Sequence, residues 1–207
     1  MTAGPARSAS PPFAGVVANT QLVLREREAR DRGWWELARD CFHPDSTVAI
    51  SWFSGSGPDF VAASRRLTAA GENTTHRLGP PVVHLGGARA VVVLPMTLNS
   101  RPVVDGVDVT VGVRLLYRTE RRRGRWRISA MSAIYERDAL APAVPGRSVP
   151  IAPGDLAGYR PSYRMLSWSF ARQGIPVDQD LLGDDQPERV AAAYRDAFLW
   201  AGVPAPA

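Results

Sequence analysis

The sequence predicts an α+β fold in which helices come first, a curved antiparallel sheet follows, and further helices complete the chain. Two observations predict this fold. Residues 13–71 are mostly helical in pattern, whereas residues 74–137 contain only strand patterns joined by glycine-bearing turns. Short turns of this kind join antiparallel neighbours, and segregation of helices from strands is typical of α+β folds. A length of 207 residues with 45% hydrophobic residues suits one ordinary domain with an appendage.

The first long element is a helix over residues 13–32. Val17, Leu24 and Asp31 recur at helical spacing and predict its packed face, and the glycine that follows can end the helix. Residues 1–12 precede it and are rich in Ala, Gly, Ser and Pro, which predicts disorder.

Shorter elements then lead to the sheet. A second helix over residues 34–41 is expected to stop at the His43-Pro44 pair, because the residue before a proline avoids the helical conformation. Residues 47–53 alternate in period two and predict a strand. Residues 54–58 predict a loop, and a third helix is expected to begin at Pro58 or Asp59 and to end at Gly71.

The sheet is predicted from four further strand patterns. The first is interrupted by Gly79-Pro80-Pro81, and the last two are separated by the arginine-rich run 121–125. A polar, glycine-containing run between strands predicts a hairpin turn, with a nucleic-acid-binding patch as the alternative. The four patterns cover residues 74–85, 88–99, 107–120 and 125–137.

The remaining residues predict a linker and a helical extension. Residues 139–153 contain four prolines and predict a linker, while residues 154–207 are helical in pattern. One helix is expected over residues 161–172, and another is expected after Asp184 or Asp185. The apolar side chains of these helices require a covering surface, either on the domain or on another subunit. The last helix places Val190, Tyr194, Ala197, Phe198 and Ala201 on one side.

Composition excludes several kinds of chemistry. All 25 basic residues are arginines, so Schiff-base and P-loop lysine chemistry are excluded. This arginine usage also suggests a high-GC bacterial genome. The net charge of +5 comes from scattered arginines without an aromatic stacking series, so no nucleic-acid partner is predicted.

Location and cysteine chemistry are also limited by the sequence. The single cysteine, Cys41, excludes an internal disulfide framework and a cysteine-cluster zinc site, and predicts a buried inert thiol. Neither a secretory signal nor an apolar run of membrane-spanning length is found, so a cytoplasmic protein with no membrane partner is expected.

Acid–base side chains are the remaining candidates for chemistry. Of the three histidines, His43 is expected at the surface, His84 lies near a strand end, and His76 follows Asn73-Thr74-Thr75 at the start of a strand. Metal-ligand spacing, dinucleotide-binding glycines and a nucleophile elbow are absent from the sequence. Arg114 stands within an apolar strand and requires a partner, a wet cavity or the solvent face of the sheet.

Residues 13–138 resemble a SnoaL-like domain of the nuclear-transport-factor-two-like superfamily. Three segments carry the resemblance: DRGWWELA from residue 31 with FHPD from residue 42, TTHRLG from residue 74 with GGARA from residue 86, and GVRLLYR from residue 112 with GRWRI from residue 124. The resemblance implies a cone-shaped curved sheet wrapped around helices, with a deep pocket. It also implies no metal or organic cofactor, and pairing of two copies through the sheet face.

The resemblance further implies roles for individual residues. Scytalone dehydratase and the bile-acid dehydratases pair a histidine with an aspartate carried by a helix, and His76 and Asp31 are similar in position. Arg30 departs from the family pattern, which has a tyrosine there, and Ala130-Met131 replace a His-Arg pair.

These observations predict a cofactor-independent dehydratase, isomerase or cyclase that acts on an apolar oxygenated metabolite. His76 is the expected base and Asp31 orients it. The alternative is a non-catalytic small-molecule-binding or dimeric assembly module of the same fold. The residues expected to bind substrate are Arg114, Trp52, Asn99 and Tyr135.

Overall fold

An eight-stranded curved sheet surrounds the N-terminal helices in the computed structural model, which describes residues 12–71, 74–102, 106–149 and 151–205. The predicted α+β class is confirmed. The helices are α1 (Pro12–Arg32), α2 (Trp35–Asp40), α3 (Gly57–Ala69), α4 (Arg164–Arg172) and α5 (Pro187–Ala201). The strands are β1 (Phe42–Ile50), β2 (Phe53–Ser56), β3 (Thr74–Leu78), β4 (Val82–Gly86), β5 (Arg89–Ser100), β6 (Val107–Arg122), β7 (Arg125–Pro142) and β8 (Leu182–Gly183).

The strands follow the order β2-β1-β7-β6-β5-β3, with β4 also paired to β5 and β8 paired to β7. All pairs are antiparallel except β1 with β7 and β7 with β8. The predicted interruption after β3 lets β3 and β4 pair with successive parts of β5. We call the face of the sheet that contacts α1 the inner face, and the opposite one the outer face.

The packed face of α1 differs from the prediction. Val17 is 42% exposed, whereas Asn19, Val23, Glu26 and Arg27 are buried. The helix therefore turns a polar stripe toward the inner face of the sheet, because its charged side chains find partners there. Gly33 ends the helix as predicted, with φ +70°.

Strand β1 begins earlier than predicted, at Phe42, and includes the His43-Pro44 pair. Pro44 is tolerated because the pairing of β1 with β7 is irregular between Phe42 and Thr47, where the ladder needs no backbone donor from proline. His43 was expected at the surface but is 4% exposed, and its Nε2 lies 3.0 Å from the carbonyl oxygen of Glu120.

Two segments expected to be irregular contain strands. Residues 54–58 were predicted as a loop, but β2 pairs with β1 through Ser56, and α3 begins directly after it. The side chain of Ser56 accepts a hydrogen bond from the backbone of Asp59, which caps α3. The linker predicted over residues 139–153 begins later than expected, because β7 continues to Pro142 in register with β6.

The C-terminal extension packs on both faces of the sheet. Leu166 and Phe170 of α4 belong to the main core, whereas Val190 and Phe198 of α5 pack against the outer face. Strand β8 lies between the two helices and pairs with β7 at Ile134 and Tyr135. The chain therefore crosses from the inner to the outer face at β8.

Helix α5 covers the apolar surface on which the predicted homodimer was based. Val91, Leu116 and Ile134 form one buried cluster with α5. Gly86 allows close approach, since a Cβ there would collide with the carbonyl oxygen of Ala201. Homodimerisation stays a prediction, but this surface no longer supports it because α5 already covers it.

Across the described ranges, the helices are all too short or too polar to span a lipid bilayer.

Candidate active site

A carboxylate and an imidazole meet where the last turn of α1 crosses β3. The Nδ1 atom of His76 lies 2.6 Å from Oδ1 of Asp31, and the backbone N–H of His76 donates to Oδ2 of Asp31 at 2.9 Å. Their side chains are 3% and 14% exposed, respectively. Both carboxylate oxygens therefore hold the same residue, which fixes the plane of the imidazole ring.

The alternation of β3 explains why His76 faces inward. Thr74 is buried and His76 has a buried side chain, whereas Thr75 and Arg77 between and beyond them are exposed. Successive side chains of a strand point to opposite faces of the sheet. Asp31 lies at the edge of the buried stripe of α1, so the helix presents it to β3.

The surroundings favour a carboxylate paired with a neutral imidazole. Burial lowers the pKa of His76, and the nearby cations Arg27 and Arg30 lower it further, against the opposing effect of Asp31. Burial would raise the pKa of Asp31, but the hydrogen bonds from His76 outweigh it and the pKa is lowered. With Nδ1–H donated to Asp31, Nε2 carries the lone pair and can act as a base.

We expect the rate of any His76-dependent reaction to show one acid limb. Because the pKa of His76 lies below its ordinary value of 6.5, the rate should be constant through neutral pH and should fall only below 6.5. The sign follows from the role: protonation removes the lone pair of Nε2. A pH–rate profile measures this, and an acid limb centred above 6.5 would contradict the neutral base.

A narrow cavity lies beside His76 on the inner face. It holds about 30 Å³ of free space, room for one or two water molecules. Small-molecule pockets usually hold ~300–1,000 Å³, so the deep pocket implied by the family resemblance is closed here. The polar lining comprises Arg27, Arg30, Ser51, Thr74, His76 and Tyr135, and the apolar lining includes Ile50, Trp52, Phe60, Met96, Leu98 and Phe170.

The C-terminal extension closes this cavity. Phe170 of α4 lines it directly, and the ring of Tyr163 packs 4.9 Å from the ring of Tyr135. The Tyr135 hydroxyl in turn accepts a hydrogen bond of 2.9 Å from the backbone of Ser51. Asp138 of β7 accepts a 2.8 Å hydrogen bond from the backbone of Leu166, which anchors the start of α4.

Trp52 and Tyr135 line the cavity, whereas Arg114 and Asn99 do not, and the roles of Trp52 and Tyr135 in binding substrate stay predictions. Arg114 lies on the outer face, where Glu136 and Asp184 hold its guanidinium at 2.6 Å. Arg114 therefore lies away from the cavity, on the outer face of the sheet that the sequence left open as an alternative, and its role in binding substrate stays a prediction.

Asn99 also points away from the cavity. It pairs with Thr75 and Thr110 in the ladder and lines an open groove with them. Its neighbour Leu98 faces the cavity instead. The alternation of β5 therefore places Asn99 on the opposite face of the strand from this cavity, and its contact with substrate stays a prediction.

The other histidine and the cysteine have structural surroundings. The ring of His84 packs 4.6 Å from the ring of Phe198 on the outer face. Cys41 is 3% exposed, which confirms its predicted burial, and burial raises the pKa of its thiol to about 12. In the part of the chain that the structure describes, His, Cys, Asp and Glu side chains do not gather in groups of three or more that could hold a metal ion.

The charged side chains of α1 that surround His76 were not predicted from the sequence. Glu26 and Arg27 form a buried ion pair, with Nε of Arg27 at 2.6 Å from Oε2 of Glu26, and the hydroxyl of Tyr117 donates to the same oxygen at 3.1 Å. Arg30 lines the cavity one position before Asp31. The available signal was the recurrence of polar residues at helical spacing from Asn19 to Arg30, which is also the pattern of a solvated face.

Comparison with known proteins identifies the family. The SnoaL-like domain family matches residues 18–132. This chain belongs to that family, and its fold is that of the nuclear-transport-factor-two-like superfamily.

Two fungal relatives cover most of the chain. A PEP2-like protein of Fusarium vanettenii is 31% identical over 203 residues, which covers 87% of each chain. An uncharacterised protein of Emericella nidulans is 32% identical over 183 residues, covering 78% of this chain and 77% of that protein. A match over 87% of the chain cannot be confined to residues 1–138, so the Fusarium protein shares part of the C-terminal extension. These relatives give no support to the bacterial origin expected from arginine usage.

Solved structures share the fold at low identity. A candidate scytalone dehydratase of Novosphingobium aromaticivorans has a TM-score of 0.51 and 16% identity, covering 66% of this chain and 96% of its own. The hexachlorocyclohexane dehydrochlorinase LinA-type3 of Novosphingobium barchaimii has a TM-score of 0.56 and 13% identity, covering 68% and 96%. Identities this low establish the common fold alone.

Proposed function

We propose that the protein is a cofactor-independent acid–base enzyme, a dehydratase, isomerase or cyclase, that acts on an apolar oxygenated small molecule. One observation carries the proposal: the contact of 2.6 Å between Asp31 and the buried His76 beside a mostly apolar cavity. An oriented neutral imidazole is the arrangement that general base catalysis requires.

The reaction needs only a proton transfer and a stabilised charge. Nε2 of His76 removes a proton from a carbon next to a carbonyl group, and the electron pair of that C–H bond moves toward the carbonyl oxygen. Asp31 stabilises the imidazolium ion that forms. The same proton then returns to a leaving hydroxyl, which departs as water, or to another carbon, which completes an isomerisation.

The names of proteins that share this fold support this class of reaction. The names of two neighbours, a candidate dehydratase and a dehydrochlorinase, describe elimination reactions. The fold alone does not establish a reaction, so the proposal depends on the Asp31–His76 pair and not on these names.

A second candidate is a non-catalytic binding or assembly module, and the free volume of the cavity favours it. About 30 Å³ admits water but not a metabolite, and Phe170 of α4 forms part of the cavity wall. Catalysis therefore requires α4 to move, whereas a purely structural role does not.

Proton exchange distinguishes the two candidates without knowledge of the natural substrate. The apolar ketone 2-tetralone carries acidic protons next to its carbonyl group, and their exchange in D2O is followed by proton NMR. We expect the protein to accelerate this exchange. Background exchange rates with both the wild type and a variant of Phe170 that opens the cavity would favour the binding module.

The Phe170→Ala substitution should open the cavity and increase the binding and exchange of 2-tetralone. Phe170 is 4% exposed, so its loss should also cost about 3–5 kcal/mol of folding stability. Phe198→Ala is the matched control, because Phe198 is 2% exposed but packs on the outer face. Equal effects of the two variants on 2-tetralone binding, measured by calorimetry, would contradict the assignment of Phe170 as the side chain that closes the cavity.

A further inference from the structure

The hydroxyl of Thr74 is buried in the cavity wall without a hydrogen-bond partner. Thr74 is 7% exposed and lines the cavity, and its Oγ1 atom makes no hydrogen bond in the part of the chain that the structure describes. A buried hydroxyl without a hydrogen-bond partner lowers the folding stability. A ligand that forms a hydrogen bond with Thr74 is the simplest explanation for a threonine at this position.

Thr74 stands next to the proposed base. It precedes His76 by two residues on β3, so both side chains point to the inner face with Cα atoms about 7 Å apart. That spacing lets one small molecule contact both groups. Thr75, between them, points outward and lines a different groove.

The charged groups that line the cavity are cations. Arg27 and Arg30 both line it, whereas Glu26 and Asp31 do not. Nε and Nη2 of Arg27 are held by Glu26, so the guanidinium is fixed in place while it faces the cavity. Negative charge that develops in the cavity is therefore stabilised by groups that need no rearrangement.

We propose that Thr74, together with Arg27 and Arg30, forms an oxyanion-binding site, and that the substrate is a carbonyl compound converted by way of its enolate. The inference rests on the proposed function, because His76 must supply the proton transfer.

The chemistry balances across the cavity. As Nε2 takes the proton, the C–H electron pair becomes the C=C bond of the enolate, and the carbonyl π pair becomes the charge on oxygen. Thr74 donates its O–H to that oxygen, and the guanidinium groups face it. The positive charges of Arg27 and Arg30 disfavour protonation of His76 while the cavity holds no negative charge. When the negative charge of the enolate forms beside His76, it favours the imidazolium ion.

Binding of 4-nitrophenol tests this site, because nitrophenolate mimics an enolate and absorbs visible light where the phenol does not. We expect the wild type, or Phe170→Ala if the cavity must be opened, to bind nitrophenolate in preference to the neutral phenol. Thr74→Val should weaken nitrophenolate binding roughly 10- to 100-fold, because a hydrogen bond to a charged oxygen is lost. Thr74→Ser should bind within about threefold of the wild type, since it keeps the hydroxyl.

Thr75→Val is the matched control, with the same change on the outward side of the same strand. It should leave nitrophenolate binding unchanged. Thr74→Val should also melt no lower than Thr75→Val, because it removes a hydroxyl that lacks a protein partner. Equal nitrophenolate affinity in the two valine variants, or preference for neither ionic form in the wild type and Phe170→Ala, would overturn the proposal.

A His76→Ala variant separates this inference from the proposed function. It should still bind nitrophenolate, because the oxyanion site does not include His76. Nitrophenolate binding that depends on Thr74, without exchange of 2-tetralone by any variant, would support the oxyanion site and contradict the proposed enzyme. Exchange that depends on His76 but not on Thr74 would contradict the oxyanion site alone.

Discussion

Replacing His76 by alanine should lower the rate of 2-tetralone exchange by about 100- to 10,000-fold, the usual contribution of a general base. Nε2 is the atom of the Asp31–His76 pair that is free to accept a proton, since Nδ1 lies 2.6 Å from the carboxylate. The fold should survive, because the backbone N–H of His76 still donates to Asp31.

Asp31→Asn should also lower the exchange rate, though less than His76→Ala. A carboxamide can donate to Nδ1, which would favour the wrong tautomer and place the proton on Nε2. It would also leave the imidazolium without its counter-charge. The acid limb of the pH–rate profile should therefore change position as well as the rate.

His84→Ala is the control for this pair of variants. It removes the same side chain from a strand of the same sheet, but on the outer face beside Phe198. We expect it to keep the wild-type exchange rate. If His76→Ala and His84→Ala exchange 2-tetralone equally fast while both remain folded, His76 is not the base.

Replacing Glu26 by leucine should destabilise the fold by about 3–5 kcal/mol, the cost of leaving one partner of a buried ion pair unpaired. Glu26 is 0% exposed and holds both Arg27 and the hydroxyl of Tyr117. Burial alone would lower the pKa of Arg27, but the adjacent Glu26 outweighs it and raises the pKa well above its ordinary value, so Arg27 cannot shed its charge.

The double variant Glu26→Leu/Arg27→Met should recover much of that loss, because it removes both charges and keeps apolar volume. It should remain below the wild type by the cost of the unpaired Tyr117 hydroxyl, about 1–3 kcal/mol. Glu28→Leu is the matched control on the exposed side of α1 and should change stability by less than about 0.5 kcal/mol. Urea unfolding measures all three variants, and a Glu26→Leu variant as stable as Glu28→Leu would contradict the importance of the pair.

The sequence allowed prediction of the sheet and of the contact between Asp31 of α1 and His76 of β3. The strand patterns and glycine turns predicted the long strands that became β5, β6 and β7. The family resemblance brought Asp31 and His76 together, although they are far apart in the chain, and they are in contact. The strands follow from local residue patterns, and the contact between Asp31 and His76 follows from the order of the family motifs along the chain.

The features that the sequence did not predict depend on which neighbouring elements cover the second face of a strand or helix. Arg114 could not be oriented because both faces of β6 are buried, Leu116 by α5 and Leu115 by the inner core. The burial of Arg27 and Glu26 was not predicted, because two buried charges that satisfy each other have the same spacing along a helix as two exposed ones. The apolar side chains of the C-terminal helices were predicted to need a covering surface, but the place of Phe170 in the cavity depends on how α4 is anchored on β7, where Asp138 accepts a hydrogen bond from the backbone of Leu166.

The protonation state of the His76 ring is the most direct test of whether His76 can act as the general base. Nitrogen-15 NMR of the labelled histidines, assigned with His76→Ala, reports which ring nitrogen carries the proton. We expect a neutral ring at pH 7 with the proton on Nδ1 and a lone pair on Nε2, and a pKa of His76 below its ordinary value of 6.5. An imidazolium ion at pH 7, or a proton on Nε2, would contradict the assignment of His76 as the base.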